Sequence, residues 1–211
     1  MTVTPVELIY WVGMAAVAVN AMTAVLETED KGMDVVGAVM VGLAASLGGG
    51  TVRDLLLNRE VFWLGDQGYL SCGLVTVAIT FVVARWIRFS KGAFLIPDAI
   101  GLALFTVVGA RIAVALGTPW LAASLMGVVT GVFGGVARDV LVNEIPLIMQ
   151  PGMLYATASW SGALTYIGLL HLGVGEGMAM GLGGLVIFGM RFAAIRYKLK
   201  LPAFRSRKPV K

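Results

Sequence analysis

Seven apolar runs separated by short polar breaks organise this chain, at roughly Val6–Leu26, Val35–Leu57, Leu70–Ile87, Phe94–Leu116, Leu121–Val142, Met153–Leu172 and Met178–Ile195. A helix needs ~20 apolar residues to cross the hydrocarbon core of a bilayer. Each run therefore predicts one membrane-spanning α-helix, and together they consume nearly the whole sequence. The breaks are rich in turn formers and charge: Glu27-Thr28-Glu29-Asp30-Lys31-Gly32, Asn58–Gly68, Arg88–Gly92, Gly117-Thr118-Pro119, Asn143–Gly152 and Gly173–Gly177.

The second and fifth runs repeat one another. The seventeen residues from Gly42 to Asn58 align without gaps onto those from Gly127 to Asn143. Gly42, Gly49, Gly50, Arg53, Asp54, Leu56 and Asn58 all recur at one fixed offset, and the first and fourth runs echo each other more weakly around Gly13 and Gly101. The chain thus reads as a single transmembrane domain over 1–211. Repeat one spans about 6–88, repeat two about 94–172, the seventh helix about 176–198, and a basic tail 199–211. Three crossings per repeat is odd, so the second copy must run upside down relative to the first, an arrangement that places a transport path at the repeat interface. The expected fold is all-α, two inverted three-helix repeats plus a seventh helix.

Within the repeated segments, Gly48-Gly49-Gly50 and Gly134-Gly135 fall mid-span. Glycine weakens a helix by ~1 kcal/mol relative to alanine, so such runs predict a kink or an unwound turn. Carbonyls freed there must be satisfied by protein, water or an ion, and Ser46, Thr51 and Thr130 would add hydroxyl oxygens at the same depth. The second reading is close helix contact alone: Gly127, Gly131 and Gly135 form a small-residue ladder at four-residue spacing. Arg53-Asp54 and Arg138-Asp139 are intramembrane charges, which mark ion or substrate paths by default. Adjacent positions do not face each other on a helix, so each of the four groups is expected to find a partner elsewhere. Asp54 and Asp139 would favour cations, while carbonyls or carboxylates hold the arginines aside. The candidate ion path is therefore Ser46, Gly48, Gly49, Gly50, Thr51, Arg53, Asp54, Thr130, Gly134, Gly135, Arg138 and Asp139.

Composition narrows the function. Hydrophobic residues make up 58% of the 211 and charged residues 13%, too little charge to coat a soluble catalytic or DNA-binding module. One histidine and one cysteine, Cys72, exclude an internal disulfide and leave no metal or nucleophile–base set for an enzyme. No cofactor and no nucleic-acid partner are implied. The first ten residues carry no Lys or Arg, so the first run is expected to be a retained span and not a cleaved signal. Lys198, Lys200, Arg205, Arg207, Lys208 and Lys211 crowd one end, and Arg85, Arg88 and Lys91 the third-to-fourth connection. Both clusters point to a plasma-membrane protein with the N-terminus outside and the C-terminus cytoplasmic. The stretch Arg191–Lys211 reads as part of this basic end, able to meet anionic lipid. Arg111 is expected to snorkel to the outer interface. Glu27, Glu29 and Asp30 read as a solvated inner loop, His171 as interfacial, and Trp11, Trp63, Trp86, Trp120 and Trp160 as an aromatic belt.

With those residues in view, the chain resembles the prokaryotic members of the trimeric intracellular cation (TRIC) channel family. The likeness rests on Gly48–Asp54 followed by Val61-Phe62-Trp63, and on Gly134–Asp139 followed by Glu144-Ile145-Pro146. Tyr155-Ala156-Thr157-Ala158 and Arg191–Pro202 also carry it. The resemblance implies a seven-helix protomer, a homotrimer, an hourglass pore within each protomer lined by kinked second and fifth helices, and passage of monovalent cations, chiefly K+ with Na+ as a second candidate. Phe133 departs from the family by standing where a third glycine is common, and is expected to narrow the inner half. Many bacterial relatives are labelled transporters of a small amino acid, glycine, which makes a secondary carrier the alternative function.

Overall fold

The apolar runs fold into long helices in a computed structural model that describes residues 5–28, 31–87, 92 and 94–200. The described residues form eight α-helices and no strand: α1 (Pro5–Thr28), α2 (Val35–Leu56), α3 (Phe62–Gly65), α4 (Gln67–Ala84), α5 (Leu95–Ala115), α6 (Trp120–Leu141), α7 (Tyr155–His171) and α8 (Glu176–Tyr197). A 3-10 turn at Leu147–Met149 joins α6 to α7. All seven expected helices are present, with ends within about three residues of those read from the sequence. Six of them are long and apolar enough to cross a membrane: α1, α2, α4, α5, α6 and α8. At 17 residues, α7 is about 25 Å long. The four-residue α3 and the 3-10 turn occupy stretches expected to be plain loops.

Local chemistry sets the helix ends. Asp34 caps α2 by accepting the Gly37 N–H at 2.8 Å, and Asp66 caps α4 by accepting that of Gly68 at 2.8 Å. Each offsets part of the cost of unpaired N–H groups in a first turn. Asn58 and Asn143 end the repeated segments in the left-handed region, at φ 50° and 59°. Asparagine enters that region more readily than other non-glycine residues, which is why this residue type recurs at the repeat's end.

α1, α2 and α4 pack together, as do α5, α6 and α7, and the two groups meet through α1 against α5 and α2 against α6. α8 has no counterpart and packs on α7 and α5. The interior is built from small residues: Ala16, Ala21, Ala24, Ala99, Ala110, Ala113, Ala158 and Ala163 are fully buried. Small interfaces let backbones approach closely, the main source of helix association in lipid. Outward faces carry Leu74, Val75, Ile79 and Val82 on α4 and Met178 and Leu185 on α8, which suits hydrocarbon and not water.

One expectation fails. α2 runs α-helical without interruption through Gly48–Gly50, and α6 through Gly134–Gly135. No turn is unwound there. A β-carbon at Gly49 would lie 2.1 Å from the Thr130 carbonyl oxygen, and one at Gly134 would lie 2.1 Å from that of Ala45. The same 85-residue shift relates Gly49 to Gly134 and Ala45 to Thr130. The glycines are thus the two reciprocal halves of one backbone-to-backbone crossing. Gly50 does a related service in α2, leaving room for the Phe62 ring, whose edge would sit 2.5 Å from an added β-carbon.

Candidate functional site: two buried arginine–aspartate corners

Charge is concentrated at the two ends of the α2–α6 crossing. Arg53 and Asp54 lie one turn from the end of α2, Arg138 and Asp139 one turn from the end of α6, and all four are nearly inaccessible. Each pair bonds to itself. Arg53 Nε donates to Asp54 Oδ1 at 2.9 Å, and Arg138 Nε donates to Asp139 Oδ1 at 2.8 Å. The expectation that neighbours cannot pair is corrected here. It holds for short side chains along a helix face, but the long guanidinium arm curls back near the helix end. The second carboxylate oxygens are also matched: Asp54 Oδ2 accepts the Phe62 N–H at 2.9 Å, and Asp139 Oδ2 accepts that of Leu147 at 2.7 Å. Each aspartate therefore clamps its arginine with one oxygen and the chain beyond the helix with the other. The two corners stand at opposite ends of the bundle.

Beyond this shared core the corners differ. On the end where α1 finishes, Arg138 is held by a carboxylate cluster. Its Nη1 donates to Asp98 Oδ1 at 2.8 Å, its Nη2 lies 2.8 Å from Asp139 Oδ1, and Glu27 forms a further ion pair with it. Asp98 also accepts from the Tyr155 hydroxyl at 3.2 Å, and its other oxygen lies 3.5 Å from Arg191 Nη2. Arg191 donates to the Met153 carbonyl and sits 4.6 Å from the Tyr155 ring. Three carboxylates, Glu27, Asp98 and Asp139, face two guanidinium groups. Lys31 and Glu144 add a neutral ion pair between the two repeats.

On the opposite end, Arg53 has Asp54 as its carboxylate partner among the described residues, and Asp54 is shared with Arg59 at 3.4 Å. The Phe62 ring lies 5.6 Å from the Arg53 guanidinium carbon. Beside Arg53 lies a cavity of about 400 Å3, bordered by Tyr10, Gly13, Arg53, Arg59, Glu60, Asp66 and Tyr69 among others. Arg111, on its wall, donates to Glu176 of α8 at 3.0 Å, an ion pair in which both side chains are partly exposed.

The remaining sequence candidates are accounted for by their own helices. Ser46 Oγ donates to the Gly42 carbonyl at 2.7 Å, Thr51 Oγ1 to Leu47 at 2.8 Å, and Thr130 Oγ1 to Met126 at 2.6 Å. Thr51 also accepts from the Trp63 indole at 2.9 Å. Gly48 faces Ala137 at ordinary contact distance, and Gly135 leaves space for the Tyr155 hydroxyl. Phe133 is 45% exposed on the outside of α6, so it does not narrow the interior. Glu27 is no solvated loop residue: it is in the last turn of α1 with its side chain 11% exposed. Arg191 is no tail residue: it is fully buried in α8. Trp11, Trp86, Trp120 and Trp160 are exposed as a belt requires, and His171 is exposed and bonds back to the Ile167 carbonyl. Glu29, Asp30, Arg88, Lys91, Arg205, Arg207, Lys208 and Lys211 lie outside the described residues. Asp98, Tyr155 and the structural role of Arg191 were missed by sequence reasoning. Their signal was a lone acid in the fourth apolar run and a lone arginine inside the seventh.

This architecture defines an all-helical, multi-pass membrane protein whose duplicated halves meet at one helix crossing flanked by buried ion clusters. A sequence model of the family described as glycine transporter matches the chain twice, over residues 10–85 and 95–171, one match per repeat. The UPF0126 inner membrane protein YadS of Escherichia coli K12 is 38% identical over 200 residues, covering 93% of this chain and 96% of that one. The UPF0126 membrane protein YvgT of Bacillus subtilis is 31% identical over 202 residues, covering 93% and 95%. Among solved structures, the TRIC channel orthologue of Rhodobacter sphaeroides superposes with a TM-score of 0.86 at 34% identity, covering 91% of this chain and 99% of that one. A prokaryotic TRIC channel crystallised in 0.5 M KCl gives 0.84 at 28%, covering 93% and 100%. The chain belongs to this family, the prokaryotic TRIC channels.

Proposed function

We propose that the protein is a monovalent cation channel, permeable to potassium, with one pore inside each protomer of a homotrimer in the plasma membrane. The observation that carries this reading is the close backbone likeness, over nearly the whole chain, to a solved trimeric cation channel. In this reading α7 is also a span, the sixth along the chain and bringing the total to seven, the repeats are inverted, the Tyr10 end faces outward and the Glu27 end faces the cytoplasm. The path enters by the cavity beside Arg53, passes between α1, α2, α5 and α6 past Ser46, Thr51, Thr130 and the Gly48–Gly50 and Gly134–Gly135 crossing, and leaves by the Arg138 cluster.

The electrostatics support cation passage. A bare arginine in a narrow path would repel cations, and here the buried Arg53 and Arg138 each have a carboxylate within 3 Å. The Glu27–Asp98–Asp139 set matches the charges of Arg138 and Arg191, so these buried guanidinium groups present no uncompensated positive charge to a passing cation. Asp54 and Asp139 act by holding the arginines and the adjoining turns in place.

Planar-bilayer recording of the purified protein under asymmetric KCl tests the proposal. Unitary currents that reverse near the potassium equilibrium potential are expected, reduced by Asp139→Asn. The family's glycine-transporter description favours one second reading, a carrier for a small amino acid. Saturable glycine uptake into vesicles without unitary current would replace the channel by that carrier.

A further inference from the structure

The basic end of α8 does not trail away from the bundle. α8 closes at Lys198, whose backbone stands in the left-handed region at φ 53° and ψ 41°. A residue in that conformation ends a helix and turns the chain aside. Two positions on, the Lys200 stem lies over the Pro151–Gly152 turn, where a β-carbon on Gly152 would meet Lys200 Cγ at 3.3 Å. Gly152, at φ 92°, both makes that turn and leaves room for the stem. The residue after it, Met153, accepts from Arg191 of α8 through its carbonyl. The turn before α7 and the end of α8 are therefore held against each other, and both lysines are presented from a fixed surface.

Between them lies a pocket of about 330 Å3. Its floor is apolar, made by Leu95 from the first turn of α5, by Met153, and by Ala194 and Ile195 of α8. Lys198 and Lys200 are its charged members, both exposed, and no acid borders it among the described residues. Neither lysine has a carboxylate partner among those residues. Ala194, Ile195 and Lys198 share one face of α8 by their three- and four-residue spacing, so charge and apolar floor lie one above the other. Tyr197, 70% exposed, stands beside them, and an exposed aromatic at the end of a spanning helix belongs at headgroup level. Basic residues at that depth attract anionic lipid. We infer that this pocket binds a glycerophospholipid with an anionic headgroup. Its phosphate accepts from Lys198 and Lys200, and the start of an acyl chain lies on Leu95, Met153, Ala194 and Ile195. A lipid seated there ties the unduplicated α8 to the first turn of α5. The site rests on the membrane-spanning fold alone and stands apart from the choice between channel and carrier.

Native mass spectrometry of the full chain in a neutral detergent tests it, with dioleoyl phosphatidylglycerol, dioleoyl phosphatidylcholine and glycerophosphate as probes. Phosphatidylglycerol should bind saturably and phosphatidylcholine at least ~5-fold more weakly, the worth of one basic residue beside an anionic headgroup. Glycerophosphate carries the charge without the acyl chains and should not bind over the same range. Lys198→Gln and Lys200→Gln should each weaken phosphatidylglycerol ~5-fold, and arginine at both positions should keep it. Arg196→Gln removes the same charge from an exposed position outside the pocket lining and should change binding little. All these side chains are exposed, so the variants should fold as the wild type does. Equal loss on Arg196→Gln would reduce the effect to diffuse charge and overturn the site. Equal affinity for phosphatidylcholine, or undiminished binding when both lysines are glutamine, overturns it as well. Glycerophosphate binding as tightly as the lipid would make this a soluble-phosphate site and remove the lipid. None of these readouts involves ion or solute passage, so the bilayer currents decide the channel proposal separately.

Discussion

Replacing Gly49 by alanine tests whether α2 and α6 are held by a backbone crossing. The new β-carbon would meet the Thr130 carbonyl oxygen at 2.1 Å, whereas carbon and oxygen settle at about 3.3 Å or more. The helices must separate locally by about 1.2 Å, because the obstacle is backbone and has no rotamer to change. A gap of that order forfeits about a quarter to a half of the dispersion energy of each atom pair it opens. Overpacking of this kind costs about 1–3 kcal/mol, against a gain of up to ~1 kcal/mol from alanine's better helix propensity. The clash wins, and a net loss of ~1–2 kcal/mol is expected. Gly48→Ala is the internal control, since its β-carbon meets nothing closer than 4.0 Å. It keeps only the propensity gain. Denaturant midpoints in detergent, followed by far-ultraviolet circular dichroism, compare the two. Gly134→Ala should match Gly49→Ala, and the double variant should cost less than the sum, because one widening serves both sites. Equal midpoints for Gly48→Ala and Gly49→Ala would refute the crossing.

Asp98→Asn leaves Arg138 and Arg191 without their shared charge and should destabilise by ~3–5 kcal/mol, as for broken buried ion pairs. Adding Arg191→Met should restore part of that loss, and strict additivity in the same unfolding assay would show that the two residues do not communicate. Asn58→Ala and Asn143→Ala should each cost ~1 kcal/mol through the left-handed backbone, while glycine at either position should be neutral or better; thermal midpoints decide. Glu176→Gln removes a partly exposed partner of Arg111 and should change stability by less than ~1 kcal/mol, with a larger shift showing that α8 is tied to α5 chiefly by that pair.

The hydrophobic pattern made the helices legible because each span carries its own signal, complete within some 20 residues. The repeated Gly, Arg, Asp and Asn positions were equally legible as a duplication. Their roles were less so. A glycine that breaks a helix and a glycine that admits another backbone look the same in one dimension, and only the carbonyls of Ala45 and Thr130 across the crossing distinguish them. The pairing of Arg53 with Asp54 was misjudged because helix-face geometry ignores how far an arginine arm reaches near a helix end. Asp98, Tyr155 and Arg191 escaped notice for a different reason. They come from α5, α7 and α8, separated by 57 and 93 residues in the two pairings, and no local spacing announces a cluster assembled from three helices. An acid isolated in an apolar run was the available clue, since such a residue needs a partner from somewhere.

The unduplicated eighth helix has an effect on energy as well as on shape. Two equivalent halves set head to tail could exchange conformations with no preference for either, each state being the other turned over. Arg191 abolishes that parity, since it reaches Asp98 in one half and has no twin in the other. An imbalance worth about 1.4 kcal/mol already skews such an equilibrium tenfold. Arg191 of α8 thus adds to the inequality of the two corners, since it joins the Asp98 cluster at one of them only.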